Sequence, residues 1–266
     1  MTDQSENEAT TELERAFRAM SASPGNDAAR LAYYGVLADT ALALHLEDEP
    51  EGEDLSPVVL ELGGVSYVSV FDGEDKLADH AHGVAEFASL SGRGLSQMLR
   101  GQGVGMAVDR GTRYEMLLPP DAVDWLAGTL ATGPTEGTAR PVALRPPPVL
   151  PEGLESALQR KLTGAGALAE TAWLAMADYD DGNECALIVV VGARAGTEEG
   201  LAAAISEALT FSGLDNAHLD VAFADSDAPL TKRVARVGRE LELSRPAPPK
   251  PPSPPGSDPG KPPRLR

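Results

Sequence analysis

Between Gly133 and Val149 the chain reads GPTEGTARPVALRPPPV. Proline has no backbone donor and cannot sit inside a helix or a central strand. The stretch is therefore expected to be a linker without helix or ladder hydrogen bonding, dividing the 266 residues into two separately patterned blocks. A chain of this length exceeds the usual size of one hydrophobic core, so two small domains follow, residues 1–132 and 150–243.

The first block opens with TELERAFRAM, a capping box of Thr11 and Glu14 that places Leu13, Phe17 and Met20 on one helical face. Asn26 or Asp27 can cap a second helix, and ALALHLED follows with period-two alternation at Leu42, Leu44 and Leu46. PVVLELGGVSYVSVF reads as a hairpin about Gly63-Gly64, pairing Leu62 with Val65 and Leu60 with Tyr67. EDKLADHAH is expected to be a helix with Gly83 just past its end. VAEFASL, LSQMLRG, GVGMAVD, RYEMLLP and PPDAVDWLAGTL continue as strand, helix, two strands and helix.

The second block begins with the helix PEGLESALQRKL. The strands ETAWLAMAD and ECALIVVVG, the helix TEEGLAAAISEALTFSG, the strand AHLDVAFAD and the helix APLTKRVARVGREL complete it. The expected class is α+β, two small domains of mixed or antiparallel sheet with packed helices. Residues 244–266 are dominated by proline, and they are expected to form an extended, disordered, basic tail.

The formal charge is -19. Arg245 to Arg266 carry five basic side chains and one acidic, +4 in all, which leaves -23 on the rest. Such a field repels phosphate backbones, so nucleic acid is not an expected partner, and a basic protein surface is. The acidic N-terminus lacks a signal-peptide pattern, ALIVVV is too short to span a bilayer, and a single cysteine cannot form an internal disulfide. A cytoplasmic protein with no membrane segment is expected.

DYDDGNEC, Asp178 to Cys185, places four carboxylates, three of them within Asp178 to Asp181, ahead of the only cysteine. A calcium loop needs acidic or amide ligands at positions 1, 3 and 5, glycine at 6 and glutamate at 12. Neither register fits: from Asp178, Val189 falls at 12, and with Gly182 at 6, Ala177 falls at 1. The stretch reads as a solvated hairpin connection. Cys185 then shares an inward face with Leu187, Val189 and Val191, and its carboxylate neighbours raise the thiol pKa.

His45, His80, His82 and His218 show no metal-ligand spacing, and GLSQM at Ser96 lacks the second glycine of a nucleophile elbow. GQGVG, Gly101 to Gly105, closes a helix and opens a strand, the reverse of a dinucleotide fingerprint. SLSGRGLSQML has the better context, a strand, then Gly92-Arg93-Gly94, then a helix N-terminus, and makes Arg93 the one candidate ligand-binding residue, for an anion. No catalytic residue, metal ligand or cofactor site is expected.

LERAFRAM, RLAYYGVLADTALALHLED and VSVFDGEDKLADH resemble, in order, the N-terminal region of the SseB family, the enhanced serine sensitivity proteins. LPEGLESALQRKL, AWLAMADYDDGNECALIVVVG and HLDVAFADSDAPLTKRVAR are similar to the family's C-terminal domain. The resemblance implies two small α+β domains in a cytosolic bacterial protein with no established active site to carry over.

The functional expectation is a non-enzymatic interaction or regulatory protein that binds protein partners, a second copy of itself among them. The alternative is a small-molecule binder or an enzyme using a cleft between the two domains.

Overall fold

The structure is a computed structural model that describes residues 11–49, 54–135, 137, 140–163, 165–214 and 218–243. The expected tail, residues 244–266, lies outside the described residues.

The chain opens with α1 (Glu12–Ala22), started by the expected capping box, in which the Thr11 hydroxyl accepts from the Glu14 N–H. Its stripe works as patterned: Leu13 is buried, and Phe17 and Met20 pack on the same core. Asn26 caps α2 (Asp27–Asp39). The first sheet contains β1 (Ala41–His45), β2 (Val59–Leu62), β3 (Val65–Phe71), β4 (Phe87–Ser91), β5 (Val104–Val108) and β6 (Met116–Leu118).

Its order is β4-β1-β3-β5-β6, with β2 pairing the other end of β3. Only β3 and β5 run parallel. The hairpin register is the one the sequence spells, Leu62 opposite Val65 and Leu60 opposite Tyr67. Gly63 and Gly64 supply the positive φ angles, 62° and 83°.

The helices α2, α4 (Gly92–Leu99) and α5 (Pro120–Ala131) cover one face of this sheet, joining Leu37, Leu42, Leu44, Val70, Leu95 and Leu126 in a core. On the opposite face α3 (Glu74–Ala81) buries Leu77 against Ala43 and Phe71. Both sides of β1 are therefore covered.

The second sheet has the order β10-β9-β8-β11, built from β8 (Thr171–Asp178), β9 (Glu184–Val191), β10 (Leu219–Ala224) and β11 (Arg239–Leu241). β9 and β10 are parallel, and the pairs of β8 are antiparallel. The helices α6 (Glu152–Leu162) and α7 (Glu198–Thr210) cover Leu174, Ile188 and Val190. The helix α8 (Pro229–Val237) presses Val234 on the reverse face, against Ala175 and Val189. Mixed sheets with packed helices make this an α+β fold.

Three expectations need correction. Inside the expected linker, Ala143–Arg145 forms β7 and pairs with β8, Ala143 opposite Asp178. These three residues all carry N–H donors, and the flanking prolines at 141 and 146 bound the ladder without entering it. The last helix stops at Val237, so that GREL turns back as β11. Gly238 lies against the Val234 and Leu174 carbonyl oxygens, 2.8 and 3.0 Å from where a Cβ would stand. At the end of α3 it is His82, not Gly83, that takes the left-handed conformation, φ 56°. The Gly83 N–H reaches the Ala78 carbonyl, closing a Schellman turn one residue earlier than expected.

The two sheets are joined through α2, which meets α6 and α7. Phe211, just after α7, is buried in the first core beside Trp125, and Gly35 lets it approach to 2.9 Å of the position a Cβ would occupy. Burying a Phe ring contributes about 1.5–3 kcal/mol, so this residue adds apolar stabilisation to the seam.

Candidate functional site

Arg93 lies at that seam. No loop separates β4 from α4: Ser91 ends the strand and caps the helix by accepting from the Gly94 N–H. Gly92 is required by packing, because a Cβ there would stand 2.0 Å from the Leu37 carbonyl oxygen. The Arg93 guanidinium donates to both Glu207 carboxylate oxygens, at 2.8 and 2.7 Å, and reaches Asp39 at 3.4 Å. Lys161, nearly buried, bridges the same two acids, 2.6 Å from Asp39 and 2.8 Å from Glu207.

Burial alone would raise the Glu207 pKa, but the bonds from Arg93 and Lys161 outweigh it and hold it below the ordinary range. The Arg93 guanidinium is thus paired with two carboxylates of its own chain. Of the two glycines flanking Arg93, Gly92 serves helix packing and Gly94 has room for a side chain.

A second ion cluster sits at the carboxyl ends of the parallel strands β3 and β5, where Asp72 and Asp109 follow the last strand residues. Lys76 from α3 lies 2.6 Å from Asp109, 2.9 Å from Glu14 and 3.7 Å from Asp72. Asp109 also accepts from the Asp72 N–H at 2.7 Å, and the Thr11 hydroxyl donates to Asp72. Burial pushes the Asp109 pKa up against the pull of Lys76. Buried Tyr33 lies close enough that Asp109 and Asp72 add to the burial that raises its pKa, and its hydroxyl has no hydrogen-bond partner among the described residues. The cluster ties α1 and α3 to the sheet.

DYDDGNEC forms the expected turn: Asp181 accepts from the Asn183 N–H, and the Tyr179 N–H bonds the Asn183 carbonyl. Arg145 of β7 clamps Asp178 and Glu184 at 2.6 and 2.8 Å, which uses two of the suspect carboxylates. Cys185 is half-buried on the face of Leu187 and Val189, and burial and nearby Asp220 push its thiol pKa up. His45 and His80 stack edge to face at 6.5 Å, and His82 makes the left-handed cap described above. Among the described residues no group of His, Cys, Asp and Glu can hold a metal ion, and no helix is long and apolar enough to cross a membrane.

Concave surface among the described residues lies on both sides of β11. One cavity of about 410 Å³ is lined by Glu170, Thr171 and the run Glu240 to Leu243. A neighbouring one of about 220 Å³ lies between β11 and α6, with Leu150, Leu158 and Leu162 as its floor. Glu240, Leu241 and Glu242 line both, so the two form one groove along the last strand of the sheet. Glu155, Glu170, Glu240 and Glu242 are exposed around it. One cation, Arg239, is among its lining residues, and it is paired with Glu155.

The signal for this groove was present in RELEL, residues 239–243, which alternates acid and leucine with period two. Its fit to a continued α8 masked it.

Neither curated proteins nor solved structures yield a match to the chain. Residues 13–125, which span α1 into α5 and contain Glu14, Asp72, Lys76 and Asp109 but none of the second sheet, match the SseB protein N-terminal domain.

Proposed function

We propose that this is a non-enzymatic interaction protein, built on the SseB plan through its second half as well, that holds a basic, extended segment of a protein partner in the groove along β11. The groove itself carries the reading. It has the half-buried Leu241 and Leu243 for apolar contact, an open strand edge and a rim of exposed carboxylates, in a chain of net charge -19. The rival, a small ligand or a reaction in a cleft between the halves, needs space where Phe211 and the Arg93–Glu207 pair stand.

Fluorescence anisotropy of a labelled Lys/Pro peptide, with a Glu/Pro peptide of equal length as control, tests the groove. Saturable binding of the basic peptide alone is expected, weakening as salt rises. Glu240→Lys combined with Glu242→Lys abolishes it while leaving thermal unfolding unchanged, since both side chains are exposed. Undiminished binding in that double variant overturns the assignment.

A further inference from the structure

We propose that the groove along β11 is occupied by the chain's own residues 244–266, folded back on the same molecule, so that a partner segment binds by displacing them. The inference rests on the groove reading and names its resident occupant. Leu243 is part of the groove wall, so residue 244 follows directly from it. Ten of the 23 residues from Ser244 to Arg266 are proline, and Arg245, Lys250, Lys261, Arg264 and Arg266 oppose a single acid, Asp258.

The chemistry on the two sides is complementary. Proline rings offer apolar surface to the half-buried Leu241 and Leu243, and a chain rich in them loses little entropy when it docks. The five cations meet the rim of Glu155, Glu170, Glu240 and Glu242. At roughly 3 Å per residue in an extended proline-rich conformation, the segment has ample reach to double back along a groove beginning at its own root. A short tether also holds it at an effective concentration on the order of millimolar, so even weak contacts suffice within one molecule. Because proline cannot donate to a ladder, the contact is through side chains and not a sixth strand.

The test uses the full chain with Cys185→Ala and Ser257→Cys carrying a nitroxide, and reads the methyl signals of its leucines. At low salt the signals of Leu158, Leu162 and Leu241 are expected to fall at least twofold relative to the reduced label. Glu240→Lys with Glu242→Lys restores them, and charge reversal of Lys261, Arg264 and Arg266 to Glu in that background brings the attenuation back.

Attenuation spread evenly around Leu243 and indifferent to these charges overturns the proposal. So does attenuation seen only when spin-labelled chains are mixed with isotope-labelled ones, which assigns the groove to a second copy. If the Lys/Pro peptide binds while these leucines stay unattenuated, self-docking fails and the groove reading stands. If the peptide binds only after the five tail cations are replaced by serine, both hold.

Discussion

Arg93 and Glu207, 114 residues apart, share two hydrogen bonds of 2.8 and 2.7 Å across the seam between the sheets. Glu207 is almost buried while Arg93 is one-third exposed, so the carboxylate suffers more when the pair is broken. A double-mutant cycle with Arg93→Met and Glu207→Leu should give a coupling of about 1–3 kcal/mol in denaturant unfolding. Additive single effects would show that the fork adds nothing beyond Lys161.

The same acid sets an acid limit on stability. The folded state holds Glu207 below its unfolded pKa, so the unfolded chain binds the proton more readily. The stabilisation is fully present above the unfolded pKa and is lost as pH falls through the folded one. Glu207→Gln should flatten the unfolding curve in that acidic window and nowhere near neutrality. An unchanged slope there would place the acid sensitivity in other carboxylates.

Asp109 acts in the opposite sense. Burial raises its pKa, so its contribution falls as pH rises from the ordinary carboxylate range through the raised value. Its φ of 50° is tolerated by Asn and poorly by β-branched residues. Asp109→Asn should therefore stay within about 1 kcal/mol of the parent at neutral pH and lose that slope. Asp109→Val, strained and leaving the Asp72 N–H unbonded, should cost about 3 kcal/mol or more.

Cys185 should react slowly with an alkylating reagent at neutral pH and faster as pH climbs past the usual thiol range, because burial and Asp220 both disfavour the thiolate. Cys185→Ala should leave groove binding intact. Rapid, stoichiometric alkylation at neutral pH would contradict this.

Local patterning was legible wherever one short-range rule decided the outcome. The Thr11 capping box, the Gly63-Gly64 hairpin and its register, and the shared face of Cys185, Leu187 and Val189 depend only on neighbours in sequence. What the sequence hid depended on distant partners. β7 exists because β8 offers an edge and Arg145 finds Asp178, and β11 exists because Gly238 turns the chain onto the same strand. The strand-glycine-helix context of Arg93 predicts an anion site, and no sign in the sequence marks its partner Glu207, which comes from the other half of the chain. The groove was hidden for the same reason, since it needs α6 and β11 together.

Gly92 offers the sharpest check on that reinterpretation. A glycine kept for anion binding could accept a methyl group at modest cost to folding, because the ligand would lie on the solvent side. Here the Cβ would stand 2.0 Å from the Leu37 carbonyl oxygen and 2.8 Å from its carbon, both backbone atoms at the end of α2. Neither can rotate away, and the Gly92 N–H is itself held by the Thr40 carbonyl at 3.0 Å. Relief requires prying α4 from α2, which opens the core around Leu37 and Leu95 and loosens Arg93 from Glu207. Gly92→Ala should cost about 3 kcal/mol or more, at the upper end for overpacking. Gly94→Ala, whose Cβ meets only the Ser91 hydroxyl at 3.3 Å, should cost under about 1 kcal/mol. Equal unfolding midpoints for the two variants would show that α4 does not sit against α2 as described.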